Sequence, residues 1–303
     1  MARYQIHHKT IYSYAYPVAV SHHSAHLKPM DSSVQSCLQY HLKISPEPSD
    51  LNDRKDYFDN TVSFFSVQEG HNELVVDANS EVSVQHTQLP LPNIIPDCQQ
   101  VVNDVTNRIN DEWQPETINA LQFIHASPKI SISDKVKEFA KPLIAPDQNY
   151  LEVAQKLADH IHQEFSFDST ATDVTTPVDE VLEKKAGVCQ DFAHLMIAAL
   201  RSVKLPVRYV SGYILTDPPP GQERLLGADA SHAWVSIYVP AFGWIDVDPT
   251  NNQLCDDRYV TVAVGRDYSD VSMLKGAVTG GGDHSIGIQV TVTPLDSLER
   301  AKS

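Results

Sequence analysis

Three residues of the types that support nucleophilic catalysis follow one another along the chain: Cys189, His232 and Asp248. A thiolate can attack a carbonyl carbon, an imidazole can accept and return a proton, and a carboxylate can orient the imidazole. An isolated cysteine is more often a small buried apolar residue, so Cys189 needs partners before it indicates chemistry. If the fold brings the three side chains together, they predict acyl transfer through a thioester.

The segment that begins at Cys189 has the apolar spacing of one buried helical face. The apolar positions are Phe192, Leu195, Met196, Ala199, Leu200 and Val203. Asp191 in the first turn and Arg201 in the last suit the helix dipole, and Pro206 follows the segment. The pattern predicts a helix that begins at the cysteine, where the positive end of the helix stabilises a thiolate.

Two segments after this helix alternate between polar and apolar residues, as strands with two unlike faces do. Residues 231–239 place His232 opposite their aliphatic side chains, and residues 243–250 place Asp246 and Asp248 opposite theirs. In a hairpin of these strands, His232 and Asp248 share a face only if the numbers of paired residues sum to an even number. We therefore predict a three- or five-residue connection, or a bulge. This parity leaves Asp246 open as an alternative to Asp248.

The composition is that of an ordinary chain of 303 residues, 42% hydrophobic and 20% charged, with room for two domains. No run approaches the roughly 18 apolar residues of a membrane helix, and the first residues lack the apolar core of a signal peptide, so we expect a cytoplasmic protein. A net charge of −16 repels a nucleic-acid backbone, and we expect neither a nucleic-acid nor a membrane partner. Four scattered cysteines without a Cys-x-x-Cys pair favour free thiols.

The chain divides into four regions by pattern. Residues 1–88 alternate in short segments between turns, which predicts a small all-β N-terminal domain. Residues 89–96 form a proline-rich linker. In residues 97–265 helical patterns are followed by strand patterns, which predicts an α+β core. Residues 266–303 form a C-terminal extension with a glycine-rich loop and a final strand.

Three helical patterns precede the cysteine helix, at about 97–110, 132–142 and 149–164. Ser133 and Asp147 stand near the start of the second and third patterns. Both residue types accept hydrogen bonds from the first free N–H groups of a helix. We therefore expect Ser133 and Asp147 to be N-caps.

No group of residues predicts a metal or cofactor site. His22 and His26 have the spacing of ligands on a helix, but they fall in the β-rich region without a Glu or Cys to complete a set. The acidic residues within 246–257 lack the regular spacing of a calcium loop. His194 lies roughly 140° around the helix from Cys189, so we expect it to be structural or exposed. A zinc hydrolase is the most distant alternative.

Three ordered motifs resemble the bacterial transglutaminase-like family. They are Ala186-Gly187-Val188-Cys189-Gln190-Asp191, Ser231-His232-Ala233-Trp234 and Gly243-Trp244-Ile245-Asp246-Val247-Asp248-Pro249-Thr250. Residues 172–177 and 265–268 also resemble segments of that family, and residues 1–88 resemble its β-rich N-terminal domain. The resemblance therefore covers nearly the whole chain.

The resemblance implies a papain-like α+β core in which Cys189 is the nucleophile, His232 the general acid and base, and Asp248 the orienting residue. The backbone N–H of Cys189 is a natural first donor to an oxyanion. No second donor is assigned, because Gln190 follows the cysteine, whereas a side-chain donor usually precedes it in papain-like enzymes.

Such a site implies a peptide or protein substrate and an acyl-enzyme at Cys189. Water then gives hydrolysis, as in a cysteine protease or amidase, whereas an amine gives crosslinking. We favour hydrolysis, because water needs no dedicated acceptor groove. The alternatives are protein-glutamine transamidation and a non-catalytic binding protein on the same fold. The insertion at 217–230 precedes His232, and we expect it to form a lip of the cleft.

Overall fold

Residues 1–85, 94–106, 115–216, 231–240 and 242–295 are described by the structure, a computed structural model. Most of the predicted linker at 89–96, and the whole of the predicted lip at 217–230, lie outside these ranges. In chain order the elements are β1 (Ala2–Ala25), β2 (Gln35–Ser45), β3 (Asp50–Lys55), β4 (Thr61–Val67), β5 (His71–Val84), α1 (Cys98–Thr106), α2 (Pro115–Leu121), α3 (Asp134–Ala140), α4 (Tyr150–Glu164), β6 (Ser166–Phe167), α5 (Val178–Lys184), β7 (Ala186–Gly187), α6 (Cys189–Ser202), β8 (Val207–Ile214), β9 (Ser231–Val239), β10 (Gly243–Asp248), β11 (Gln253–Leu254), β12 (Tyr259–Gly265), α7 (Tyr268–Val271), β13 (Leu274–Gly280) and β14 (His284–Pro294).

The first five strands form an antiparallel sheet in the order β2-β5-β1-β4-β3. Strand β5 shows why this sequence forms a sheet: alternate residues, ending at Val82 and Val84, are buried, and those between them are half-buried. The prediction of an all-β N-terminal region is confirmed.

Strands β13 and β14, near the other end of the chain, also belong to this first sheet. Strand β14 pairs with residues 4–14 of β1, and β13 pairs with residues 18–25. Between them, Gly280, Gly281 and Gly282 have φ angles of 96°, 84° and 65°, a region that glycine enters without steric cost. The sequence predicts a separate extension at residues 266–303. In the structure, two strands of this segment instead widen the N-terminal sheet.

The helices and the remaining long strands form a second unit, whose sheet has the order β11-β10-β9-β8-β12. Helix α6 is buried along its length from Asp191 to Arg201. It packs against the face of β9 that carries Ala233, Val235 and Ile237. Helices gathered on a sheet of antiparallel strands give the α+β class that the sequence predicts, and that prediction is confirmed.

Both helix-capping predictions are tested by the backbone hydrogen bonds. The Ser133 hydroxyl accepts from the backbone N–H of Val136 and caps α3, as predicted. The prediction for Asp147 is wrong, because Asn149 caps α4 by accepting from Leu151 and Glu152. Asn149 directly precedes the first helical residue, and only from that position can a side chain reach those N–H groups.

Side-chain amides from the first sheet region bind the edge strand of the second sheet. Gln35 accepts from the backbone N–H of Thr261 and donates to its carbonyl, both at 2.8 Å. Asn60 makes the same reciprocal pair with Val264, also at 2.8 Å. The two amides therefore satisfy backbone groups of β12 that no further strand pairs. They also fix β12 against the N-terminal region.

Two buried histidines predict a loss of stability in acid. Burial lowers the pKa of His8 and of His194 to about 4, from an ordinary 6.5. The unfolded chain therefore takes up protons first, and stability falls as the pH falls through 6.5 towards 4. Between pH 7.5 and pH 5 we expect each histidine to cost about 2 kcal/mol.

Urea denaturation at pH 7.5, 6 and 5 measures this dependence. In His194→Gln, the drop in unfolding free energy between pH 7.5 and 5 should be smaller by about 2 kcal/mol, the contribution of one histidine. This difference does not depend on the variant's stability at pH 7.5. An unchanged drop would contradict the assignment of His194 as a neutral buried group.

Candidate active site

Cys189 is the first residue of helix α6 and remains partly exposed. The turn before it is fixed by Asp191, whose carboxylate accepts from the backbone N–H of Val188 at 2.9 Å and from the Thr172 hydroxyl at 2.6 Å. This is the second half of a capping box, in which a residue of the first turn reaches back to the N-cap. The sulfur is thus held at the helix start, where the sequence analysis placed it.

Gly187 leaves the space that Asp191 occupies. A Cβ atom at Gly187 would lie 2.7 Å from an Asp191 carboxylate oxygen. We therefore expect Gly187→Ala to displace Asp191, free the Val188 N–H and lower the unfolding free energy by about 2 kcal/mol. Because the turn that positions the sulfur shifts, alkylation of Cys189 should slow as well.

Gly70→Ala is the matched control, since a Cβ atom at Gly70 meets nothing within 4 Å. Denaturation curves and iodoacetamide rates for both variants test the prediction. Equal behaviour of the two alanine variants would show that the contact with Asp191 is unimportant.

His232 and Asp248 meet across the hairpin of β9 and β10. Val239 pairs with Gly243, so three residues connect the strands, and the paired numbers sum to an even number. The predicted connection is confirmed. Nε2 of His232 lies 2.7 Å from Oδ2 of Asp248. Cys189 and His232 line the same cavity, and the Cys189 side chain is among the groups that raise the pKa of His232. Because Nε2 bonds Asp248, Nδ1 is the ring nitrogen left to face the sulfur.

Asp248 is fully buried and accepts five hydrogen bonds. Its Oδ2 accepts from His232, from the Asn251 amide and from the Tyr259 hydroxyl, each at 2.7 Å. Its Oδ1 accepts from the backbone N–H groups of Thr250 and Asn251, at 2.8 and 3.2 Å. The carboxylate is therefore satisfied as an anion and has one orientation.

Asp246, the alternative that parity left open, lies elsewhere. Its carboxylate accepts from the indole N–H of Trp234 at 3.1 Å. The structure thus joins His232 to Asp248 and gives Asp246 a different partner.

The charges of the pair follow from these contacts. Burial alone lowers the pKa of His232, but the hydrogen bonds to Asp248 and Cys189 raise it to about 10. Burial raises the pKa of Asp248, but the hydrogen bonds from His232, Tyr259 and Asn251 hold it below its ordinary value. At neutral pH the site therefore contains a carboxylate and an imidazolium, and an imidazolium beside a sulfur stabilises a thiolate.

Cys189 and His232 open onto a cavity of about 630 Å³. Its apolar wall comprises Phe167, Ile214 and Leu215. Its polar wall includes Asn251 and Gln253. A cavity of this size accommodates a side chain and neighbouring backbone of a peptide.

The remaining candidates of the sequence analysis have structural contacts. His194 is buried and accepts from the backbone N–H of Tyr268 at 3.1 Å. His22 hydrogen-bonds Ser66, and His26 donates to the Ser272 carbonyl. Within the described parts of the chain, no three His, Cys, Asp or Glu side chains group as metal ligands do.

Sequence reasoning missed Tyr259, Asn251 and Gln253. Asn251 follows Asp248 by three residues, and the run Asp248-Pro249-Thr250-Asn251 is a signal for the local turn that joins them. Nothing in the sequence around Tyr259 signals that its hydroxyl reaches Asp248.

Comparison with known proteins gives the same family that the motifs suggest. Residues 4–83 match the bacterial transglutaminase-like N-terminal region, and residues 137–249 match the transglutaminase-like superfamily core. A Mycobacterium tuberculosis protein of unassigned function is 38% identical over 299 residues, which are 97% of this chain and 93% of that one. The chain belongs to the transglutaminase-like superfamily.

Two further proteins resemble this chain at lower sequence identity. A Pseudomonas aeruginosa protein-glutamine gamma-glutamyltransferase is 29% identical over 131 residues, which are 42% of this chain and 19% of that one. A crystal structure from Cytophaga hutchinsonii, provisionally described as a cysteine protease, superposes with a TM-score of 0.76 at 20% identity and covers 97% of this chain and 91% of that one. The transglutaminase-like fold, with its all-β N-terminal region, is thereby confirmed. None of the helices in the described ranges is long and apolar enough to cross a membrane.

Proposed function

We propose that this protein is a cysteine-dependent acyl-transfer enzyme that hydrolyses amide bonds in peptides or proteins. The observation that carries the proposal is the 2.7 Å bond from His232 to a buried Asp248, on an imidazole that shares a cavity wall with Cys189. Cys189 and His232 line one cavity, Asp248 is buried beside His232, and a helix N-terminus lies behind the sulfur.

In the proposed reaction the Cys189 thiolate attacks the amide carbonyl carbon, and the backbone N–H of Cys189 donates to the developing oxyanion. The His232 imidazolium gives its proton to the leaving nitrogen, so an amine departs and a thioester remains. Water then attacks the thioester while the neutral His232 takes its proton. The thiolate is expelled, His232 keeps the proton that it took from water, and the carboxylic acid leaves.

Asp248 keeps its charge through this cycle. It stabilises the imidazolium and holds the ring so that Nδ1 faces the sulfur, and it does not receive the proton. The hydrogen bonds from Tyr259 and Asn251 support this role, because they favour the ionised carboxylate.

Transamidation is the second candidate. The Pseudomonas aeruginosa relative, a protein-glutamine gamma-glutamyltransferase, aligns over 42% of this chain and supports this alternative. An amine would then replace water as the acceptor of the acyl group. We favour hydrolysis, because water requires no second groove.

A blocked glutaminyl dipeptide, offered with and without a fluorescent primary amine, separates the candidates. Free acid and ammonia in equal yield, whether or not the amine is present, support hydrolysis. A conjugate of the amine supports transamidation. If neither product forms with this dipeptide or with a casein digest, and Cys189 is alkylated no faster than Cys37, the chain is a binding protein and the proposal fails.

A further inference from the structure

A tyrosine outside the three expected residues contacts the carboxylate of the site. Tyr259 is the first residue of β12 and is 4% exposed. Its hydroxyl lies 2.7 Å from Oδ2 of Asp248, the oxygen that also binds His232. Its ring meets the Trp234 ring edge-on, with centroids 5.2 Å apart, which fixes its direction.

Gln253 determines which way the tyrosine hydroxyl points. Its side-chain N–H donates to the Tyr259 oxygen at 2.5 Å. Since that contact uses the oxygen as an acceptor, the O–H hydrogen is directed at Asp248. Gln253 also lines the active-site cavity. A hydrogen-bonded chain therefore leads from the cavity wall through Tyr259 and Asp248 to His232.

We propose that Tyr259 is a positioning residue: its hydroxyl fixes Asp248 and withdraws part of the negative charge of Oδ2 from the bond to His232. This inference rests on the proposed function, because it assigns Tyr259 a share in setting the acidity of the general acid. The amide pairs of Gln35 and Asn60 with β12 hold the strand that carries this tyrosine.

Tyr259→Phe keeps the ring and removes the donor. Oδ2 then concentrates its charge on His232, and the imidazolium holds its proton more tightly. The other titratable groups near Tyr259 and Asp248 are Cys255 and Asp246, and both remain in the variant. We expect proton release from His232 to move up by roughly 0.5–1 pH unit.

The readout is the rate of Cys189 alkylation by iodoacetate divided by the rate by iodoacetamide, between pH 6 and 11. The anionic reagent is favoured only while His232 is charged, so the fall of this ratio marks the loss of the proton. Tyr150→Phe is the control: Tyr150 is another buried tyrosine, and its hydroxyl donates to the Pro206 carbonyl. The midpoint should rise in Tyr259→Phe and stay at the wild-type value in Tyr150→Phe.

A midpoint in Tyr259→Phe within about 0.2 pH unit of wild type overturns the inference, and so does an equal rise in the control. If Tyr259→Phe fails to fold, Gln253→Ala takes its place, with a smaller rise in the same direction expected. Because alkylation needs no substrate, failure to turn over the glutaminyl dipeptide would reject the proposed function while leaving this test intact. With a substrate, kcat for an amide should fall by up to about three- to tenfold more than kcat for an activated ester, whose leaving group needs no proton.

Discussion

Cys189→Ser is expected to reduce turnover of the glutaminyl dipeptide by at least about a thousandfold while leaving the fold intact. A serine hydroxyl holds its proton far more tightly than a thiol, so the neighbouring His232 cannot ionise it. The exchange removes no buried polar contact, because the side chain is partly exposed. Turnover of the dipeptide and the thermal midpoint measure the two halves of this expectation. Mass spectrometry should detect no acyl-enzyme in the variant.

Cys37→Ser is the matched control, since Cys37 is also a half-buried free thiol but lies on β2 in the N-terminal sheet. Burial and the nearby Asp31 raise the pKa of Cys37 above its ordinary value. It should therefore react slowly, and its loss should leave turnover unchanged. Retained activity in Cys189→Ser, or lost activity in Cys37→Ser, would move the nucleophile away from Cys189.

Asp248→Asn is expected to reduce kcat/KM by about 10³–10⁴-fold. A neutral amide withdraws the charge that holds the proton on His232, and burial, which lowers the pKa of His232, then prevails. At neutral pH the imidazole loses its charge, the thiolate loses its partner and the leaving amine loses its acid. The pH at which the iodoacetate-to-iodoacetamide rate ratio falls should therefore move from about 10 to neutrality or below.

Asp246→Asn provides the comparison, because it changes the same atoms two residues away. It weakens the bond from the Trp234 indole, which we expect to cost about 1 kcal/mol of unfolding free energy with activity largely retained. The opposite pattern, with activity lost in Asp246→Asn and kept in Asp248→Asn, would assign the orienting role to Asp246.

The placement of the site could be predicted because local patterns determine it. The helical spacing after Cys189 set the start of α6, and the alternation around His232 and Asp248 set the parity of the hairpin. Both depend on which residues face the core, and the positions of apolar residues report that directly.

Contacts between distant parts of the chain could not be predicted in this way. The hydroxyl of Tyr259 reaches Asp248 because β12, three strands away from β10 in the sheet, begins there, and no spacing rule covers that geometry. Asn149 is the cap in place of Asp147 because the helix begins at Tyr150, one residue later than the pattern suggested. Periodicity determines helix ends poorly. The geometric choice between Asp246 and Asp248, which share a strand face, required the hydrogen bonds of the two carboxylates.

The strand β1 lies between β5 and β14, so residues 4–14 pair on one side with a strand formed by residues 284–294. During synthesis, residues 2–25 emerge long before residues 274–294, and until then one edge of β1 has no partner from the tail. The N-terminal sheet therefore reaches its final width only after the whole transglutaminase-like core has been translated. The ordering of β1 is tied to the synthesis of residues 274–294, and a ribosome that stalls within the core leaves an open strand edge exposed to other chains.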